Sequence, residues 1–312
     1  MRLRAGATLA CLALLLAGCA EATDQQRPRV SVEAGGERWR GIASGLGGPE
    51  DPDSSNVCDR GERRCIDEVV REMRRRFELL AARCDHRAAF AFMYLTVTEG
   101  VGETGARIFE NPRYLNHLDA VFAQLYFDAF DAHARGERER VPVAWQIALD
   151  AAERRQVTGL GDMLLGMNAH ISRDLPFALA RIGLETAAGA PARRDYDRVN
   201  QLLADVQDPM LAAASDRLDP SIGKFEIAAL GFSAGDIAEL IATWRSEAYR
   251  NAEALIEAPP GARRALVAAR IETNAESRAR ILQAATSYTL LGETSAARDR
   301  YCQARHGAGR EP

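Results

Sequence analysis

Apolar residues recur at helical spacing along most of the chain, and no stretch alternates strictly between apolar and polar. Ile66, Val69, Val70, Met73, Phe77 and Leu80 mark one face of a first helix, with Arg71, Arg74, Arg75 and Arg76 mostly on the other. That cationic face reads as solvated, with acidic lipid headgroups as the rival contact. Ala88 to Val101 forms a second, more apolar helix. A third opens with Asn111 as N-cap and Pro112 in its first turn, and stops near Gly136. Its Leu115, Leu118, Val121, Phe122 and Leu125 face inward, while His117, Gln124, Asp128 and Asp131 form a polar stripe expected to be wet.

Pro142 opens a helix through Arg155, and an apolar one follows from Gly159 to about Thr186, interrupted at Pro176. A charged helix spans about Arg193 to Val206, with breaks expected at Asp208-Pro209 and Asp219-Pro220. The last long helices cover about Asp236 to Ala258 and Arg263 to Ala285, parted by Pro259-Pro260-Gly261, and a short one carries Cys302. These elements predict an all-α fold, a single domain of about ten helices.

The N-terminus breaks this pattern. After Met-Arg-Leu-Arg come sixteen uncharged residues from Ala5 to Ala20, too short a run for a membrane span and suited to a signal peptide. Leu16-Ala17-Gly18-Cys19 resembles the lipobox of bacterial lipoproteins. That resemblance implies lipidation of Cys19 and a membrane partner reached through the acyl chains. Ala20 lacks the acidic character associated with inner-membrane retention, so the outer membrane facing the periplasm is the expected place. Residues 20–56 are rich in Gly, Asp, Ser, Pro and Arg, without a sustained apolar period. The expected organisation is a signal peptide over 1–18, a flexible tether over 19–56 on which Trp39 docks back, an all-α domain over 57–305 and a disordered tail over 306–312.

The formal net charge of -4 becomes about -6 without Arg2 and Arg4, and this acidity argues against a nucleic-acid partner. Six cysteines are present. Cys11 would leave with the signal, and Cys58, Cys65, Cys84 and Cys302 remain as an even set in an oxidising compartment. Of three connectivities, Cys58–Cys65 and Cys84–Cys302 are preferred, since the second ties the C-terminal helix to the front of the bundle. A thiolate metal site is the rival, but no short Cys-x-x-Cys pair occurs.

Ten residues without a formal charge lie between Asp162 and Arg173: Met-Leu-Leu-Gly-Met-Asn-Ala-His-Ile-Ser. A helix this apolar all round belongs at the centre. His170 and Asp174, four apart, share a face and form the candidate pocket or catalytic pair, whereas Asn168 points roughly the other way and needs its own partner.

Leu164-Leu165-Gly166-Met167-Asn168-Ala169-His170-Ile171, then Asp174-Leu175-Pro176, resembles the central motif of a helical bacterial family, domain of unknown function 5995. The similarity extends to Phe90-x-x-Met93-Tyr94-Leu95-x-Val97-Thr98, Phe122-Ala123-x-x-Tyr126-Phe127-x-Ala129, Val199-Asn200 and Trp244-Arg245-Ser246-Glu247-Ala248. It implies an all-helical fold and supplies no activity. His170-x-x-x-Asp174-x-Pro176 is also similar to the His-x-x-x-Asp helix of the zinc-dependent phospholipase C and single-strand nuclease superfamily. That likeness implies zinc held by His170 and Asp174, completed by His117, Asp128 or His86, with a metal-bound water as nucleophile. Two departures stand against it: Phe177-Ala178-Leu179-Ala180 replaces a further His, and the mature chain has only His86, His117, His133, His170 and His306.

Gly231-Phe232-Ser233-Ala234-Gly235 matches the Gly-x-Ser-x-Gly pattern of serine hydrolases, which works only on a strand-turn-helix elbow; Ser233 and Asp236 read instead as a capping box. The expectation is therefore a membrane-anchored lipoprotein with a buried polar pocket at His170 and Asp174. A zinc-dependent hydrolase and a structural or interaction protein of the envelope are the alternatives.

Overall fold

The computed structural model describes residues 36–222, 226–227, 232–233, 236–291 and 294–306. The main helices are α1 (Glu37–Ala43), α2 (Arg63–Ala81), α3 (Ala88–Ile108), α4 (Pro112–Arg135), α5 (Val143–Glu153), α6 (Gly159–Met167) and α7 (Leu175–Ile182). They continue as α8 (Arg193–Arg217), α9 (Asp236–Glu257), α10 (Ala262–Ala285), α11 (Tyr288–Leu291) and α12 (Ala296–His306). The fold is a single all-α domain. A two-residue antiparallel ribbon, β1 (Glu226–Ile227) with β2 (Phe232–Ser233), is its one departure among the described residues.

The apolar segment singled out in the sequence is the central rod. All nine residues of α6 are buried, and α3, α5 and α10 pack around it. Thr158 caps it, its hydroxyl accepting from Gly161 N–H at 3.1 Å. The expected interruption at Pro176 is absent. Between α6 and α7 the chain widens over Asn168–Asp174 into a π-helical turn, in which Leu175 N–H donates to His170 O, five residues back. An α-turn would drive the proline ring into the carbonyl four residues earlier; the wider turn removes that clash and keeps the rod continuous. Gly166 is needed where it stands: a Cβ there would lie 2.3 Å from Phe90 Cδ2.

Other boundaries moved. Helix α8 runs through Pro209 to Arg217, eleven residues past the expected end. Pro209 is on its exposed face, so the hydrogen bond it cannot make is replaced by water. Helix α3 continues to Ile108. Asn111 occupies the N-cap position of α4 without capping through its side chain, which donates to Asp195 Oδ2 instead.

Residues 36–56, expected within the flexible tether, belong to the folded body. Trp39 is buried, donates from Nε1 to Gln124 Oε1 at 2.6 Å and stands edge-on to Phe127 at 5.6 Å. Arg181 Nη2 donates to Leu46 O, and Asn56 Nδ2 to Ile42 O. Most of the stripe on α4 expected to be wet is thus a docking surface, with Asp128 left exposed as expected. Its Asp131 receives a fork of bonds from Arg76, at 2.7 and 2.9 Å, and Arg76 is buried rather than solvated. Both preferred disulfides are formed, Cys58–Cys65 and Cys84–Cys302.

Candidate functional site

His170 and Asp174 meet inside the π-helical turn. Asp174 is fully buried: its Oδ2 accepts from Trp145 Nε1 at 2.8 Å and lies 3.2 Å from His170 Nδ1, and its Oδ1 accepts from Arg173 Nη1 at 2.9 Å. A carboxylate can only accept, so His170 carries its proton on Nδ1 and leaves Nε2 with a free lone pair. Burial lowers the His170 pKa despite Asp174 and keeps the ring neutral. Phe122 stacks on that ring at 3.4 Å and within 5° of parallel, and Tyr94 meets it at 4.4 Å. His170 Nε2 is buried and has no hydrogen-bond partner.

His170 lines a cavity of about 120 Å3 walled by α3, α4, α6, α8 and α9. The walls are almost wholly apolar: Val97, Val101, Leu115, Met163, Leu203 and Ile241 are typical. The cavity is long rather than round. Its lining on α3 runs from Phe90 to Val101, about 16 Å at the helical rise. An apolar cavity of roughly this size, about 150 Å3, accepts a benzene-sized guest in a well-studied engineered case.

Two further polar groups open onto it. Tyr94 Oη is buried without a partner, and burial raises its pKa well above the usual phenol value. Asp119 Oδ2 is likewise sealed and unpartnered, and desolvation alone pushes the Asp119 pKa up to about 7. A carboxyl that titrates near 4 unfolded and near 7 folded opposes folding as it ionises, so its unfavourable effect grows from pH 4 to pH 7 and is complete above that. Asp119→Asn should raise the melting temperature by a few degrees at pH 8 and hardly at all at pH 4. Equal shifts at both pH values would show that Asp119 is ionised without penalty.

The other expected site residues are elsewhere. Asn168 turns away from the cavity and donates from Nδ2 to Ala275 O at 2.8 Å, as its opposite facing required. His117 does not join His170. Its Nδ1 lies 2.9 Å from Cys58 O and its Nε2 2.8 Å from Gly48 O, so it clamps the N-terminal segment to α4. Asp128 accepts from Gln124 on the outer side of α4. His86 is held in a separate network, with Nε2 3.1 Å from Asp299 Oδ1 and Nδ1 3.1 Å from Arg298 Nη1; burial and the Arg298 charge bring its pKa down to about 4. The zinc set His170, Asp174 and His117 is therefore not assembled.

Among the described residues, the group able to place three ligand atoms within 4.8 Å of one another is His133, Asp150 and Glu153. His133 Nε2 lies 2.8 Å from Asp150 Oδ1. The Arg138 guanidinium already grips both Asp150 oxygens, at 3.1 and 2.8 Å, and supplies the positive charge an ion would bring. Ser233 falls in the antiparallel ribbon, which is not the parallel-sheet elbow a serine nucleophile needs. Cys19 lies outside the described residues.

A family model described as a family of unknown function (DUF5995) matches residues 66–285. The chain belongs to that family. Comparison with curated proteins and with solved structures returned no match. The match spans every wall of the cavity. The segments through which the sequence resembles the family converge there: Phe90, Met93, Tyr94, Phe122, His170 and Arg245 all line it.

Asp119 and Arg245 were not singled out by chemistry in the sequence, though each left a trace. Asp119 lies among Leu115, Leu118 and Phe122 on an inward face, and Arg245 extends the stripe Ile237, Ile241 at four-residue spacing. A lone charge on an apolar face was the signal.

Proposed function

We propose that this domain is a binding module that takes a slender apolar molecule with a polar group into the cavity between α3, α4, α6, α8 and α9. The observation that carries this reading is the pairing of an apolar slot with unpartnered buried polar atoms on residues that line it: His170 Nε2, Tyr94 Oη and Asp119 Oδ2. Such atoms cost about 1–3 kcal/mol each when left unsatisfied, and a ligand hydroxyl or carbonyl would relieve that cost. The neutral His170, oriented by Asp174, offers an acceptor and Tyr94 offers a donor. His170 so held also has the form of a general base.

The proposal includes the place of action: export, lipidation at Cys19 and residence at the periplasmic face of the outer membrane. The lipobox-like Leu16-Ala17-Gly18-Cys19 and the two disulfides, which persist in oxidising compartments, support it. Among the described residues no helix is long and apolar enough to cross a membrane, so attachment would rest on the acyl chains. Cys19→Ala should release the protein from membranes, and unchanged retention would refute the anchor.

The cavity is tested with 1-decanol as ligand and Val97→Phe as the variant, since Val97 lines the slot away from the Asp174 network. The unmodified chain should gain several degrees of thermal stability with the alcohol. The filled variant should fold and gain none. Equal gains in both, or none in either, would overturn the reading.

A further inference from the structure

Four arginines are buried in the described residues. Three have a carboxylate in direct contact: Arg76 with Asp131, Arg87 with Asp85 and Arg298 with Asp162. Arg245 on α9 is the exception. Its Nε donates to Asn200 Oδ1 at 2.7 Å and its Nη2 to Tyr196 O at 2.8 Å, and its guanidinium carbon lies 4.3 Å from the centre of the Tyr196 ring. All of these partners are neutral. The acid whose charge reaches it, Asp197, is bonded to Arg193 at 2.8 Å. Its remaining nitrogen, Nη1, has no protein partner among the described residues, and Arg245 lines the cavity.

A buried charge with no counter-ion is expensive, and the other three arginines show how this fold ordinarily neutralises one. Arg245 sits toward the end of the slot remote from His170. Tyr196 and Asn200, which hold it, are in the first turns of α8, and neighbouring Asp195 accepts the backbone N–H groups of Glu110 and Asn111 just beyond the C-terminus of α3. His170 instead meets Phe90 and Tyr94 near the start of α3. The slot thus carries a fixed cation toward one end, a neutral acceptor and donor toward the other, and apolar walls between them broken on α4 by the Asp119 carboxyl.

We infer that the ligand is an anionic amphiphile whose carboxylate supplies the counter-ion missing from Arg245, received on Nη1, while its alkyl chain runs along the slot and carries the hydroxyl or carbonyl that meets His170 Nε2 and Tyr94 Oη. This rests on the cavity reading above and adds the headgroup. One free nitrogen bearing two N–H groups suits a carboxylate oxygen, and the low-dielectric surroundings strengthen a charge-assisted bond to it.

The test compares decanoate with 1-decanol by titration calorimetry at pH 6, where decanoate is ionised and Asp119 still largely protonated, on the full chain and on Arg245→Met, which keeps a long side chain and removes the charge. The unmodified chain should bind decanoate at least tenfold more tightly than 1-decanol. In Arg245→Met that preference should vanish. A chain that binds the alcohol as well as the acid, or a preference that survives in Arg245→Met, overturns the headgroup assignment and leaves the cavity reading standing. Failure of both compounds to bind overturns both. Should Arg245→Met fail to fold, the preference in the unmodified chain still decides, because an uncharged headgroup site would show none.

Discussion

Asp174→Ala should destabilise the domain by about 3–5 kcal/mol, measured by urea denaturation of the disulfide-intact chain. Asp174 is fully buried and is the common acceptor for Trp145 Nε1, His170 Nδ1 and Arg173 Nη1. Truncation removes one acceptor and strands three donors, one of them a cation. Arg173 retains Glu272 at 2.8 Å, which limits the loss to the indole and the imidazole plus part of the guanidinium. Asp174→Asn keeps an acceptor for Trp145 and His170 but turns its amide N–H toward the Arg173 guanidinium, which retains Glu272, so a smaller loss of about 1–3 kcal/mol is expected. A cost under 1 kcal/mol for the alanine variant would mean that water reaches this network.

The second large effect concerns the disulfides, and it comes as a contrast. Cys84–Cys302 closes a separation of 218 residues, and Cys58–Cys65 closes 7. Chain-entropy reasoning assigns about 5 kcal/mol to the long closure and about 2 kcal/mol to the short one. The double variant Cys84→Ala/Cys302→Ala should therefore lose about 10–20 °C of melting temperature, well beyond the loss in Cys58→Ala/Cys65→Ala. Equal losses would place the stabilisation in the folded contacts around each bridge rather than in the unfolded chain.

The helices were legible because their apolar faces repeat at the helical period and their ends carry Pro and Gly. The central rod was legible for a stronger reason: a ten-residue uncharged run can only be buried. What stayed hidden depends on tertiary context. Pro209 looked like a stop, yet it costs little where its missing bond faces water. Pro176 looked like a break, yet a widened turn absorbs it. The tether looked flexible because its composition is polar, but Trp39 and Leu46 suffice to seat residues 36–56 on α4 and α7.

The site was half legible. His170 beside Asp174 followed from their spacing alone. The cavity, and the isolation of Asp119 and Arg245 on its walls, followed from nothing local, because emptiness is a property of how five helices fail to close. His117 and His170 differ for the same reason: both are buried imidazoles on helices, and only the fold decides that one meets two backbone carbonyls while the other keeps a free nitrogen.

The seven-residue π-helical turn over Asn168–Asp174 fixes the rotational phase of everything that follows it. Wound instead as ordinary helix, the same residues would carry α7 round its axis by about 100°, because the wider turn absorbs one extra residue. Leu175, Ala178, Leu179 and Ile182 would leave the interior together, and Arg181 would lose the backbone oxygens of Leu46 and Gly47. The widened turn is therefore what holds the two halves of the rod in one register: without it the centre of the protein would unscrew from its N-terminal strap.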